Sequence, residues 1–206
     1  MSWEVSALTI VFLAACLLGF LVYFHRVPVR NSPAEPRAII APADGVIWQI
    51  VSLQGETELE IHKQFLGRIR TLASDVENAA CVVSIFMNPL DVHVNWSPVD
   101  GKIVYIKHTP GNFSFANTWK SLWNEKNEIL FQAEGFQMKM IQIAGFLARR
   151  IVCDAKEGET VRRGATIGMI RLGSQVSLIL PGGIKLRVKT GQRVSGGETI
   201  LGVFEP

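Results

Sequence analysis

Cysteine is scarce in this chain. Its 206 residues include only Cys16, Cys81 and Cys153, with no CxxC spacing, and the last two stand singly among apolar residues. That pattern argues against a disulfide framework or a zinc site and fits buried thiols in a reducing compartment. An excess of either charge is also missing. The 21 Lys and Arg residues against 18 Asp and Glu leave a net charge of +3, and the basic residues are dispersed, without a run interleaved with aromatics. Such a balance does not suggest a nucleic-acid-binding protein.

Charge is wholly absent from Val5 to Phe24, a stretch of twenty residues. A helix of that length is about 30 Å long, enough to cross the hydrocarbon core of a bilayer. A secretory signal would want a basic start and a small-residue cleavage site. Here Glu4 precedes the run, and Tyr23, Phe24, His25 and Arg26 follow it. The expectation is an uncleaved anchor over residues 1–26, with Arg26 and Arg30 drawing the following domain to the cytoplasmic side. Residues 27–38, with Pro28, Pro33 and Pro36, read as a linker.

From Ile39 onward the texture changes to short apolar runs broken by glycines and turn dipeptides. Strands are expected at Gly45–Leu53, Cys81–Met87, Gly101–His108, Glu128–Ala133, Gln137–Ile143, Arg149–Ala155, Thr166–Arg171, Gln175–Leu180 and Lys185–Val188. One helix is expected at Ala116–Asn124, where Trp119, Leu122 and Trp123 share a face, with Phe113 and Phe115 nearby. Two internal echoes stand out. Lys156–Ile167 recurs 33 residues later as Lys189–Ile200, sharing Lys, Gly, Val, Gly, Thr and Ile at equal spacing, and Pro42–Ile47 is echoed by Pro98–Ile103. Glycines so placed permit tight hairpins. The fold class expected is mainly β (α+β). It is a compact sandwich or barrel-like domain over 39–206, with lipoyl- or biotinyl-like hairpin repeats, preceded by one transmembrane helix.

Several segments hold residues suited to chemistry. Gly173-Ser174 lies between two apolar strands. By itself the dipeptide is a turn signal. It also suits backbone cleavage, because a serine hydroxyl can attack the preceding carbonyl and glycine leaves that approach open. His93, bracketed by Pro89 and Pro98, has the proton affinity of a general acid or base, although a lone histidine is more often structural. Asp44 in Pro42-Ala-Asp-Gly45 can orient a histidine or simply form the turn. Met138-Lys139-Met140 matches the core of a biotin-attachment signature but lacks the preceding hairpin, so Gln137, Lys139 and Gln142 read as the polar face of a strand.

Taken in order, these segments resemble the phosphatidylserine decarboxylase family in its short prokaryotic form. The resemblance rests on the N-terminal span, Pro42-Ala-Asp-Gly45, Asn88-Pro-Leu-Asp-Val-His-Val-Asn95, Pro110-Gly-Asn-Phe113 with Asn124–Glu128, Gln142–Val152 and Leu172-Gly-Ser-Gln175. It implies a proenzyme that cleaves itself between Gly173 and Ser174 into a β chain, 1–173, and an α chain, 174–206, that remain associated. It further implies a pyruvoyl cofactor made from Ser174, which forms a Schiff base with phosphatidylserine and releases CO2 to give phosphatidylethanolamine. No metal is implied. Asp44, His93 and Ser174 match the family's cleavage triad, with one departure. The family's long bacterial members carry two histidines three residues apart, of which the second serves the triad. Here the first matches His93 and the second position is Trp96. Gln175 also replaces a common threonine.

The competing expectations are a biotin or lipoyl carrier modified at Lys139, a membrane-tethered β-domain without catalysis, and a decarboxylase of an archaeal ether-lipid serine. A homo-oligomer is left open.

Overall fold

The computed structural model describes residues 3–62, 68–110, 125–144, 150–171 and 174–205. Its one helix among the described residues, α1 (Trp3–Phe24), is long and apolar enough to cross a membrane. The last carbonyls of such a helix lack intrahelical partners. Here His25 Nδ1 donates to Leu21 O at 2.9 Å and Arg26 Nη1 to Tyr23 O at 2.7 Å.

Sixteen strands follow: β1 (Ala38–Ile40), β2 (Gly45–Ser52), β3 (Glu58–His62), β4 (Arg68–Leu72), β5 (Ala79–Met87), β6 (Val94–Trp96), β7 (Gly101–Thr109) and β8 (Lys126–Ala133). Then come β9 (Phe136–Ile143), β10 (Arg150–Cys153), β11 (Thr160–Val161), β12 (Thr166–Arg171), β13 (Ser174–Pro181), β14 (Ile184–Leu186), β15 (Arg193–Val194) and β16 (Ile200–Phe204). All nine expected strands are present with ends shifted by at most two residues. The expected helix Ala116–Asn124 and its aromatic neighbours lie outside the described residues.

One antiparallel sheet dominates, in the order β11-β7-β8-β9-β13-β5-β2-β15. Two three-stranded sheets, β1-β16-β14 and β10-β12-β6, and the hairpin β3-β4 complete the fold. Side chains alternate along each strand, so the large sheet presents two sets. Val83, Ile85, Met138, Met140, Val176 and Leu178 enter the main core. The other set, including Val82, Leu130, Ile141 and Ile179, meets Leu59, Ile61 and Ile69 of the β3-β4 hairpin. With both faces covered, central strands can be apolar at every position. This corrects the expectation of a polar face on β9. Lys139 and Gln142 are both fully buried, and by alternation they stand on opposite faces.

The echoes in the sequence are echoes in space. Ile47 donates its N–H to Gln192 O and accepts from Gly191, and Ile103 does the same with Glu159 and Gly158, all at 2.8 Å. Gly158 and Gly191 have φ of +79° and +85°, a left-handed conformation that favours glycine. The registers also correspond, with Val194 opposite Gly45 and Val161 opposite Gly101. Each Asp-Gly turn is capped the same way: Gly196 N donates to Asp44 Oδ1 at 2.7 Å, and Arg163 N to Asp100 Oδ1 at 3.0 Å. The two halves therefore repeat one local design around a shared core.

Candidate active site

Ser174 is the first residue of β13, and its backbone stands opposite Met87 on β5. It follows β12 by only two residues. β13 lies between β9 and β5 in the interior of the large sheet.

His93 is carried beside that strand end. A tight turn precedes it: Asp91 N donates to Asn88 O, and Asn88 N to Asp91 Oδ2, both at 2.9 Å. His93 O accepts Ile170 N at 3.1 Å, four residues before Ser174. The intervening chain spans at most about 14 Å. From the other side, the amide of Asn95 approaches Met87 Sδ at 4.0 Å. His93, just before β6, and Asn95 within it alternate along the chain with Val92, Val94 and Trp96, which form a separate apolar cluster. Trp96 packs beneath Arg30 and against Gly196 instead.

The state of His93 follows from its contacts. Nδ1 lies 2.9 Å from Asp91 O, which can only accept, so Nδ1 holds the proton and Nε2 is the basic nitrogen. Nε2 is buried and has no partner among the described residues. Burial pushes the imidazole below its usual proton affinity, with Arg26 adding to the effect and Asp91 and Asp44 opposing it. In the window between the lowered value and about 6.5, the unfolded chain binds a proton that the folded chain refuses. Stability therefore falls as pH drops through that window, by at most about 1.4 kcal/mol per pH unit. The expected result is that melts of the full chain in detergent between pH 7.5 and 5.5 show a steeper loss for wild type than for His93→Asn. Parallel curves would remove this account of His93.

Asp44 is brought near His93 but is not hydrogen-bonded to it. Arg30 Nη2 reaches Oδ1 and Oδ2 at 2.9 and 2.8 Å, and Gly196 N takes Oδ1. Arg30 Nη1 also meets Glu198 Oε2 at 3.1 Å. The Asp44 carboxylate thus acts on His93 through space.

A buried amide series escaped the sequence reading. Asn127 Nδ2 donates to Gln142 Oε1, and Gln142 Nε2 to Asn95 Oδ1, both at 2.9 Å. On the other face, Gln175 Nε2 donates to Ser177 Oγ at 3.1 Å, and Ser177 shares a 2.8 Å hydrogen bond with Ser84. Oδ1 of Asn127 and Oε1 of Gln175 are buried without partners among the described residues. Single polar residues inside apolar strands, such as Gln142, were the available signal.

Comparison with known sequences decides the family. The profile of the phosphatidylserine decarboxylase family matches residues 17–202. The chain belongs to this family. Among its relatives is a putative archaetidylserine decarboxylase proenzyme of Methanothermobacter thermautotrophicus, 41% identical over 92% of this chain and 83% of its own length. A phosphatidylserine decarboxylase proenzyme of Chlorobium phaeobacteroides is 41% identical over 93% of this chain and 82% of its own. A second putative archaetidylserine decarboxylase proenzyme, from Methanocaldococcus jannaschii, is 40% identical over 93% of both.

Other site residues of this decarboxylase family member fall into place. Among the described residues no three His, Cys, Asp or Glu side chains gather to hold a metal ion. Lys139, the biotin-signature lysine, is fully buried and lies 2.5 Å from both Asp75 Oδ2 and Leu72 O. An attachment lysine for a swinging prosthetic group must be exposed, so the carrier reading is not favoured.

Proposed function

We propose that this chain is a self-cleaving phosphatidylserine decarboxylase, anchored by residues 1–26, strapped by 27–38, and catalytic over 39–206 on the cytoplasmic side. The observation that carries the reading is His93: a buried imidazole with Nδ1 pinned to a carbonyl, Nε2 without a partner among the described residues, and its own carbonyl bonded to Ile170 N, four residues before position 174. Maturation would proceed by attack of the Ser174 hydroxyl on the Gly173 carbonyl, converting the peptide into an ester. Elimination then releases the Gly173 carboxylate, and hydrolysis of the dehydroalanine left at 174 releases ammonia and leaves a pyruvoyl group. His93 Nε2 suits the proton removals.

The pyruvoyl group, once formed, supplies an electron sink for the electrons left by departing CO2. The residues here fit such a group through His93, whose Nε2 is buried and without a partner among the described residues. His93 holds a proton at Nε2 for return to the substrate carbon, and Asp44 steadies that charge from a distance. The Phe24 ring, 4.3 Å from the imidazole, keeps water from it. The repeated turns support lipoyl- or biotinyl-type hairpins framing this centre.

The substrate is phosphatidylserine in the membrane. A second reading, a serine lipid with ether-linked chains, is favoured by the archaetidylserine names of two close relatives. Mass analysis of the purified chain tests the proposal. The expected result is a blocked 33-residue fragment, 174–206, about 17 Da lighter than the serine-started peptide through loss of one ammonia. Only an intact chain would refute it, and assays on both lipids separate the two substrates.

A further inference from the structure

Helix α1 is exposed almost throughout, as a bilayer segment would be. Leu8, Phe12, Leu17 and Val22 are each at least 60% exposed, yet Phe24 at its end is 2% exposed. What covers Phe24 is the catalytic domain, including the His93 ring. The chain stays attached as it leaves the helix. Arg26 Nη2 donates to Leu90 O at 2.8 Å, in the turn that holds Asp91. Arg30 Nη2 donates to both oxygens of Asp44 while Nη1 reaches Glu198, and Ser32 Oγ donates to Gly197 O at 2.9 Å.

The internal repeat offers a control for Arg30. Asp100 stands where Asp44 stands in the other half, and it caps its turn through Arg163 N alone. The nearest Arg163 side-chain nitrogen is 3.9 Å away, and Asp100 remains 67% exposed, against 17% for Asp44. The turn does not need a guanidinium against its carboxylate. Among the described residues that close contact is made in the Asp44 half and not at Asp100.

We infer that the last turn of α1 and the strap to Ser32 are part of the catalytic centre, with Phe24 a positioning residue for His93 and Arg30 one for Asp44. The inference rests on the proposed decarboxylase reading and extends it: the helix is a structural wall of the site as well as a tether. Phe24 excludes water from the imidazole, and Arg30 fixes the carboxylate whose field the imidazole feels. The charged groups around His93 are Asp91, itself paired with Arg193, Asp44 with its partner Arg30, and Arg26.

The test uses the full chain in phosphatidylserine-containing detergent micelles, comparing wild type with Phe24→Ala, Phe24→Leu, Arg30→Met and Arg30→Lys. Arg187→Ala, which breaks only the exposed pair with Glu35, is the reference. Phe24→Ala is expected to move the alkaline limb of decarboxylation, where His93 gives up the proton it returns to substrate, toward 6.5 by about half a pH unit or more, and Phe24→Leu to restore most of it. Arg30→Met is expected to slow self-cleavage about tenfold or more, because misplaced catalytic groups lose rate steeply, and Arg30→Lys to recover part of the rate. Cleavage within twofold of wild type together with an unmoved alkaline limb would overturn the inference. So would a lower melting temperature with both readouts unchanged. A wild-type chain that never cleaves would overturn the decarboxylase reading, and this inference with it.

Discussion

Ser174→Ala is expected to leave one continuous 206-residue chain, with no 33-residue fragment and no decarboxylation. The proposed chemistry draws the cleaving nucleophile from the Ser174 side chain and the later ketone from its Cα once that oxygen has been eliminated, and alanine supports neither. The fold should survive. Position 174 joins the sheet through its backbone, opposite Met87, so pairing does not require the hydroxyl. Denaturing gels, activity on phosphatidylserine and thermal melts of the same preparation check all three statements. Cleavage in Ser174→Ala, or activity without cleavage, would sink the mechanism.

Wild type should show the converse. After the cut, the short chain carries β13 to β16. β13 pairs with β9 and β5, β15 with β2, and β16 with β1. The short chain thus supplies an interior strand of the main sheet, and its removal would open a row of backbone donors and acceptors. The two pieces should co-elute under native conditions and separate only in denaturant.

Lys139→Ala should cost about 3–5 kcal/mol of stability, the range for removing one partner of a buried charge cluster. Its ammonium contacts Asp75 at 2.5 Å and Glu128 at 3.8 Å under the β3-β4 hairpin. Burial alone would raise the Asp75 carboxyl, but hydrogen bonds from Lys139 and Tyr105 hold it below the usual range. The same burial, with Asp75 as acceptor, pushes the Tyr105 hydroxyl up. Without the lysine, two carboxylates face each other across the vacated space. Lys139→Met fills most of the volume and, combined with Asp75→Asn, should recover much of the loss. Denaturant titration of the uncleaved Ser174→Ala background measures this directly. A loss under about 1 kcal/mol would mean the cluster is solvated.

Much of the fold was legible because its signals are local. Glycines bounded the strands, and the equal spacing of Gly158, Gly164, Gly191 and Gly197 announced the repeat. The hairpin β3-β4 was legible too, since Glu58-Leu-Glu-Ile-His62 alternates, but it went unread. The nearness of Gly173-Ser174 and His93 came from motif order, and the backbone contacts at Ile170 and Met87 supply its geometry. The supposed polar face of β9 was misread because one exposed face was assumed, whereas the hairpin covers that side.

The chain order alone determined that there is an apolar helix, then a β domain in two echoing halves, with one Gly-Ser dipeptide between two apolar strands. Each of these depends on residues a few positions apart. Tertiary structure alone decided that Lys139 and Gln142 are buried, that Asp44 answers to Arg30, and that Phe24 closes over His93. Those facts depend on burial and on charge pairs between segments distant in sequence, and no short window of residues encodes which segments will meet.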